Sequence, residues 1–214
     1  MPTIVPAILE NSVEAFAAKV SVITKVPGVE RIQVDFGDGK FVGNSMVNIN
    51  ELDMLNPAFM WEAHLMCESP MEFLDYQICG FNTIIVHHEA YPQPGDVKKA
   101  LLKIRESGMH PAVAINPETP VEVLAEYADM IKHFQLMAIH PGFQGTEFLP
   151  QTAERVAALR KLLPNAIIEV DGGINETNIK SIREAGADLI CVGSSLVKAQ
   201  DVNLAYEKLL AAMN

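Results

Sequence analysis

A chain of 214 residues, 49% hydrophobic and 20% charged, has the size and composition of one globular domain with a large core. A formal net charge of −11 argues against nucleic-acid binding, which needs clustered Lys and Arg, but leaves room for a small anion held by backbone N–H groups. No apolar run reaches ~18 residues, and the start MPTIVPAILEN has neither a basic head nor a long apolar stretch, so no membrane span or signal peptide is expected and the cytoplasm is the expected location.

Thr3 to Leu9 is β-branched and apolar and reads as a strand. Asn11 and Glu14, with Ser12 as a competing cap, open a helix whose apolar residues Val13, Phe16, Ala17, Val20 and Ile23 fall at helical spacing. Pro27-Gly28 ends it. Arg31 to Phe36 is the second strand, running into Gly37-Asp38-Gly39, then a long loop (Phe41 to Asn50) and a short helix near Glu51 to Leu55. Phe59 to Met66 is the third strand. Ser69-Pro70-Met71-Glu72 forms a capping box with Pro at the first helical position. Thr83 to His87 is the fourth strand, and Asp96 is expected to cap the helix that follows. Pro111 to Ile115 is the fifth, and Thr119-Pro120-Val121-Glu122 repeats the capping box before a helix to about Met130. Phe134 to Ile139 is the sixth strand, with a helix from Pro150 to about Leu163. Ala166 to Val170 is the seventh, with a helix from Asn175 to Ala185. Leu189 to Val192 is the eighth, and Asn203 to Met213 closes the chain as a helix.

Eight strands therefore alternate with helices, and spreading 214 residues over eight units gives about 27 each, a compact βα repeat. Gly80, Gly108 and Gly186 each stand between helix and strand, where a left-handed cap is wanted. The alternation demands a parallel sheet, and eight units close naturally into one (β/α)8 TIM barrel of class α/β over residues 1–214; a doubly wound open sheet is the competing arrangement. Cys67, Cys79 and Cys191 are scattered, form no CxxC pair, and read as buried reduced thiols.

In such a barrel, chemistry sits at the C-terminal strand ends. The polar residues there are Asp35, His64, His87, His88, Asn116, His140, Asp171 and Ser194. Each alone reads as a turn or cap residue; a ring with two Asp and a His among them points to a site. Three glycine loops, Gly142-Phe143-Gln144-Gly145, Gly172-Gly173 and Gly193-Ser194, fall after strands six, seven and eight. Each pair alone is explained by a turn. Together they suit phosphate, because glycine lets the backbone approach and aim N–H groups at an anion.

Several segments then resemble the ribulose-phosphate 3-epimerase family: PAIL from Pro6, VDFGDGKFVGN from Val34, HLM from His64, IIVHHEA from Ile84, INPETP from Ile115, LMAIHPGFQGTEF from Leu136, EVDGGIN from Glu169 and GADLICVGSS from Gly186. The resemblance spans nearly the whole chain in order. It implies a barrel of the ribulose-phosphate-binding type. It also implies epimerisation of a ketose phosphate (D-ribulose 5-phosphate and D-xylulose 5-phosphate) at C3, by two aspartates on opposite faces and through a metal-stabilised enediolate. The matching aspartates are Asp35 and Asp171. The matching metal ligands are Asp35, His64 and Asp171 around a divalent ion, usually zinc, with manganese or iron as other choices. Met66 and Met137 match methionines that line the family's site, alongside the phosphate loops and His64.

Gln33 replaces the family's first metal-binding His, and an amide oxygen is a poor zinc ligand beside imidazole, so the metal is expected to be held weakly or lost. Ala7 replaces a serine, Gly37 a methionine and Lys40 a histidine; the GFGGQ loop reads Gly142-Phe143-Gln144-Gly145-Thr146, and His140 stands at a position usually Glu or Asn. Lys40 and His140 are candidates to stabilise charge without a metal, against readings as a solvated Lys and a loop His. The alternatives are an epimerase of another phosphorylated ketose, such as a hexulose 6-phosphate, and a non-catalytic phosphosugar-binding barrel. A homo-oligomer is the expected assembly.

Overall fold

The computed structural model describes residues 2–73, 80–141 and 147–214. Eight parallel strands close in chain order into a barrel: β1 (Thr3–Ile8), β2 (Arg31–Gly37), β3 (Met60–Met66), β4 (Thr83–His87), β5 (His110–Ile115), β6 (His133–Met137), β7 (Ile167–Asp171) and β8 (Leu189–Val192). Closure comes from β8 pairing back onto β1, Thr3 opposite Leu189 and Pro6 opposite Val192, which removes the open-sheet alternative.

The helices are α1 (Val13–Ile23), α2 (Pro70–Phe73), α3 (Pro94–Glu106), α4 (Thr152–Leu162), α5 (Ile179–Ala185), α6 (Ser194–Val197) and α7 (Val202–Met213). Ser12 is the cap of α1, its hydroxyl accepting from Ala15 N at 3.2 Å. Several expected starts move. α3 begins at Pro94, two residues before Asp96, whose carboxylate instead pairs with Lys99 at 2.8 Å. The second capping box does not form: Val121–Tyr127 is a 3-10 helix, and the Thr119 hydroxyl is taken by Glu89. Asn175 starts no helix, because its Oδ1 accepts from Thr177 N at 2.8 Å and closes a local turn; α5 opens four residues later. The helix expected near Glu51 is a single 3-10 turn, Ile49–Glu51, held by Asn48. α6 is four residues long, too short to leave a periodic signal. The glycines at the helix-to-strand joins, Gly80, Gly108 and Gly186, all take positive φ as expected.

Alternate strand residues face opposite ways, and here the two directions differ in chemistry. Outward residues such as Ile32, Val34 and Phe36 of β2, Trp61 and Leu65 of β3, and Ile168 and Val170 of β7 merge with Phe16, Leu101, Val156, Ile182 and Leu209 of the helices into one apolar shell. Inside the barrel, small apolar patches (Val5, Ala7 and Cys191; Ile85, Ala112 and Ala114) leave space for polar side chains. Among the described residues, the buried polar side chains are Gln33, Asp35, Glu62, His64, Thr83, His87, His133, Gln135, Glu169, Asp171 and Thr152; all but Thr152 lie on the inward period of a strand. A buried polar group without a partner costs about 1–3 kcal/mol, so this column must satisfy itself or hold something.

Candidate active site

The register of β2 on β3 sets Asp35 beside His64, and that of β6 on β7 sets Met137 beside Asp171. All three polar groups are thereby delivered to the C-terminal end of the barrel and converge across its axis. His64 Nδ1 lies 3.0 Å from Asp35 Oδ1 and 3.4 Å from Asp171 Oδ2. Gln33 Nε2 donates to the same two oxygens, at 2.8 and 3.0 Å. Gln135 Nε2, one strand over, is 3.3 Å from Asp171 Oδ2, and its Oε1 is buried without a partner. The expected trio is thus assembled. Gln33, the doubtful ligand, presents nitrogen rather than oxygen to the carboxylates, so in this arrangement it is a donor and not a ligand.

The electrostatics follow from burial. Burial and the Asp171 charge push Asp35 up to about 6, against hydrogen bonds from His64 and Gln33. Burial would lower His64, but its bonds to Asp171 and Asp35 outweigh that and raise it to about 9. Behind His64 runs a chain outward: its Nε2 meets His87 Nε2 at 2.8 Å, and His87 Nδ1 faces Glu89 Oε2 at 3.4 Å. Burial lowers His87, so it stays neutral, accepting from His64 at Nε2 and donating to Glu89 from Nδ1. Burial raises Glu89, but His87, Thr119 and the Asn116 N–H outweigh it and hold the carboxylate at about 2. The chain fixes the His64 ring orientation.

Asp35 and Asp171 open into a mouth walled by Ala7, Met66, Met137, Gly172, Gly173, Gly193 and Ser194. The expected phosphate residues after β7 and β8 therefore share one concavity with the carboxylates. Gly142, Phe143, Gln144 and Gly145 lie outside the described residues. Gly172 has φ 109°, and a Cβ there would meet Ile139 Cγ1 at 2.3 Å. Gly172→Ala is expected to destabilise the fold by about 1–3 kcal/mol, measured by denaturant titration. Gly37, where the family has Met, is explained by its neighbours: a Cβ would meet Asn44 O at 2.8 Å and Met46 Cε at 3.2 Å, so Met46 and Val42 fill that wall from the following loop, against Met66.

Other strand-end residues stay out of the site. His140 is exposed and pairs with Glu118 at 3.0 Å, Lys40 is exposed, and neither lines the described mouth. His88 Nδ1 meets Tyr127 OH at 2.8 Å. Asp38 organises its turn by accepting from Lys40, Phe41 and Glu68 N–H groups. Cys67 and Cys191 are buried free thiols; Cys79 lies outside the described residues.

The layer below the site escaped sequence reading. Glu62, His133 and Glu169 bring their donor atoms within 4.8 Å of one another beneath the mouth, with Arg31 on Glu62 and His133 Nε2 2.7 Å from Glu169 Oε2. Burial and the Glu169 charge hold Glu62 well above the usual carboxylate range. Burial raises Glu169 too, but His133, Cys191 and Glu62 outweigh it and leave it low. Arg31 partners Glu62, and His133 and Cys191 partner Glu169, so the cluster reads as a structural plug. A cavity of about 430 Å³ opens beside it at the N-terminal mouth, where Arg31 and His133 are committed to the two glutamates. A signal for this layer existed: Glu62 and Glu169 each stand two residues before a site residue, His64 and Asp171, one inward step below it.

Asp35, His64 and Asp171 also bring one donor atom each within 4.8 Å of one another. Two carboxylate oxygens and an imidazole nitrogen are a donor set that zinc accepts, and the partnerless Gln135 Oε1 beside them adds an acceptor.

The sequence matches the ribulose-phosphate 3 epimerase family over residues 3–197. It is 32% identical over 192 residues to the ribulose-phosphate 3-epimerase of Chlamydia muridarum, covering 86% of this chain and 83% of that one. It is 32% identical over 193 residues to that of Aquifex aeolicus (87% and 86%), and 31% identical over 210 residues to that of Mycobacterium tuberculosis (94% and 88%). Among solved structures it resembles KGPDC from Streptococcus mutans, with TM-score 0.74, 12% identity and coverage of 100% and 97%. It also resembles 3-hexulose-6-phosphate synthase from Salmonella typhimurium, with TM-score 0.70, 17% identity and coverage of 99% and 98%. At these identities the two structures share the barrel fold alone.

Proposed function

Because this chain belongs to the ribulose-phosphate 3 epimerase family, we propose that it is an isomerase that interconverts D-ribulose 5-phosphate and D-xylulose 5-phosphate at C3. The observation that carries the reading is the convergence of Asp35 and Asp171, from β2 and β7, on shared donors at one mouth.

The C3 proton lies next to the C2 carbonyl, and inversion requires its removal from one face and return to the other. Two opposed carboxylates do this if one starts ionised and the other protonated. Asp35, pushed up to about 6 by burial and the Asp171 charge, takes up a proton more readily than an ordinary aspartate. His64 and Gln33 hold the inner oxygen of each carboxylate, which leaves the mouth-facing side of each free to reach substrate. Met66 and Met137 wall the mouth against water, and Gly172, Gly173, Gly193 and Ser194 offer backbone to the phosphate.

Asp35, His64 and Asp171 would hold a divalent cation, with zinc the first choice by donor type. Such an ion supplies stabilisation of the negative charge that develops on the substrate's carbonyl oxygen. His87 and Glu89 orient His64 in that role as well as without it.

The test is incubation of D-ribulose 5-phosphate with the protein in deuterated water. D-xylulose 5-phosphate carrying deuterium at C3 is expected. No C3 exchange, with or without added zinc, manganese or iron, would sink the proposal.

A further inference from the structure

The two ends of the Gln33 side chain are unequally served. Nε2 donates to Asp35 Oδ1 at 2.8 Å and to Asp171 Oδ2 at 3.0 Å. Oε1 faces Cys191 Sγ at 3.3 Å, but the same sulfur lies 2.9 Å from Glu169 Oε1. A thiol has one proton. The nearer acceptor is also the charged one, so the proton goes to Glu169, and Gln33 Oε1 is left against a sulfur lone pair. Gln33 is fully buried.

An amide turned by half a rotation keeps its shape and exchanges the two ends. Nε2 would then donate to the free lone pair of Cys191, a weak but real acceptor. Oε1 would face the two carboxylates. With only carboxylates there, that orientation is repulsive; with a cation among them, it is the favourable one. The spacing suits it. Gln33 Nε2 to the two carboxylate oxygens measures 2.8 and 3.0 Å, and His64 Nδ1 to the same oxygens 3.0 and 3.4 Å. Donors around a tetrahedral zinc with bonds of about 2.0–2.1 Å stand about 3.3 Å apart. The other amide beside the site, Gln135, touches Asp171 and His64 but makes no such bond to Asp35, so Gln33 is the one that meets both carboxylates.

We propose that Gln33 is an amide switch coupled to the divalent cation: its nitrogen bridges Asp35 and Asp171 in the cation-free protein, and its oxygen becomes the fourth donor when the cation binds, with Cys191 receiving the displaced NH₂. This rests on Asp35, His64 and Asp171 being the cation's ligands. The switch makes Cys191 a positioning residue for the metal, and it lets a barrel without the usual first histidine keep a four-donor set.

The test is titration of the apoprotein with Zn²⁺, and separately Mn²⁺, by calorimetry. Wild type is expected to bind one ion per chain. Gln33→Leu, which removes both ends of the amide at similar volume, is expected to weaken binding by about tenfold or more, Gln33→His to restore it, and Cys191→Val to weaken it several-fold. Equal or tighter binding by Gln33→Leu would overturn the switch, because removing a donor-only amide merely frees the carboxylates. Wild type binding neither ion would fail the ligand reading beneath it, a different result. If the variants do not fold, wild type still decides. On adding Zn²⁺, the Gln33 side-chain NH₂ protons are expected to gain a nuclear Overhauser contact to the Cys191 β protons. A contact pattern unchanged by the bound ion overturns the proposal.

Discussion

Asp171→Asn is expected to lower the epimerisation rate by about 10³-fold, with Asp35→Asn similar, since an amide neither takes nor gives the C3 proton. The informative result is what survives. With Asp171 replaced, Asp35 still faces one side of the substrate, so the epimer whose C3 proton lies on that side should keep exchanging with deuterated water without inverting. Asp35→Asn should do the same for the opposite epimer. Both carboxylates are buried and partnered by Gln33 and His64, so Asn, which preserves volume, leaves the mouth in place. NMR of C3 deuteration, run from each epimer separately, reads the outcome. Exchange of both epimers by one variant would mean that a single base serves both faces, and the two-face assignment would fall.

The second large effect belongs to stability. His133→Leu removes the 2.7 Å partner of Glu169, a carboxylate at zero exposure in the barrel interior. Leaving a buried charge without its partner costs about 3–5 kcal/mol. For a chain of this size that corresponds to roughly 6–20 °C in Tm, at about 2–4 °C per kcal/mol. Adding Glu169→Gln to the same chain removes the stranded charge, and the double variant should recover about 1–3 kcal/mol of the loss. Urea unfolding of the single and double variants measures this coupling. A His133→Leu protein as stable as wild type would show that the cluster below the site is not held by this pair.

Much of the architecture was legible because its signals are local. Strand β4 and strand β8 stand where β-branched runs stop at polar residues, and the helix-to-strand glycines mark joins that need positive φ. The helix starts were read less well where a side chain had a competing partner. Thr119 and Asp96 look like caps in one dimension, but Glu89 and Lys99 claim them in three. His140 and Lys40 stand at strand ends in sequence, but neither lines the described mouth.

By itself, then, the sequence determined the eightfold alternation, the place of Asp35, His64 and Asp171 at the strand ends, and the family, since these depend on periodicity and on motifs that survive intact. Tertiary structure alone decided what surrounds them. Barrel closure brings Cys191 of β8 between Gln33 of β2 and Glu169 of β7, residues more than a hundred positions apart, and the count of one thiol proton among them sets which way an amide points. Hydrogen-bond bookkeeping of that kind has no signature along the chain, because it is settled only when distant inward faces share one buried space.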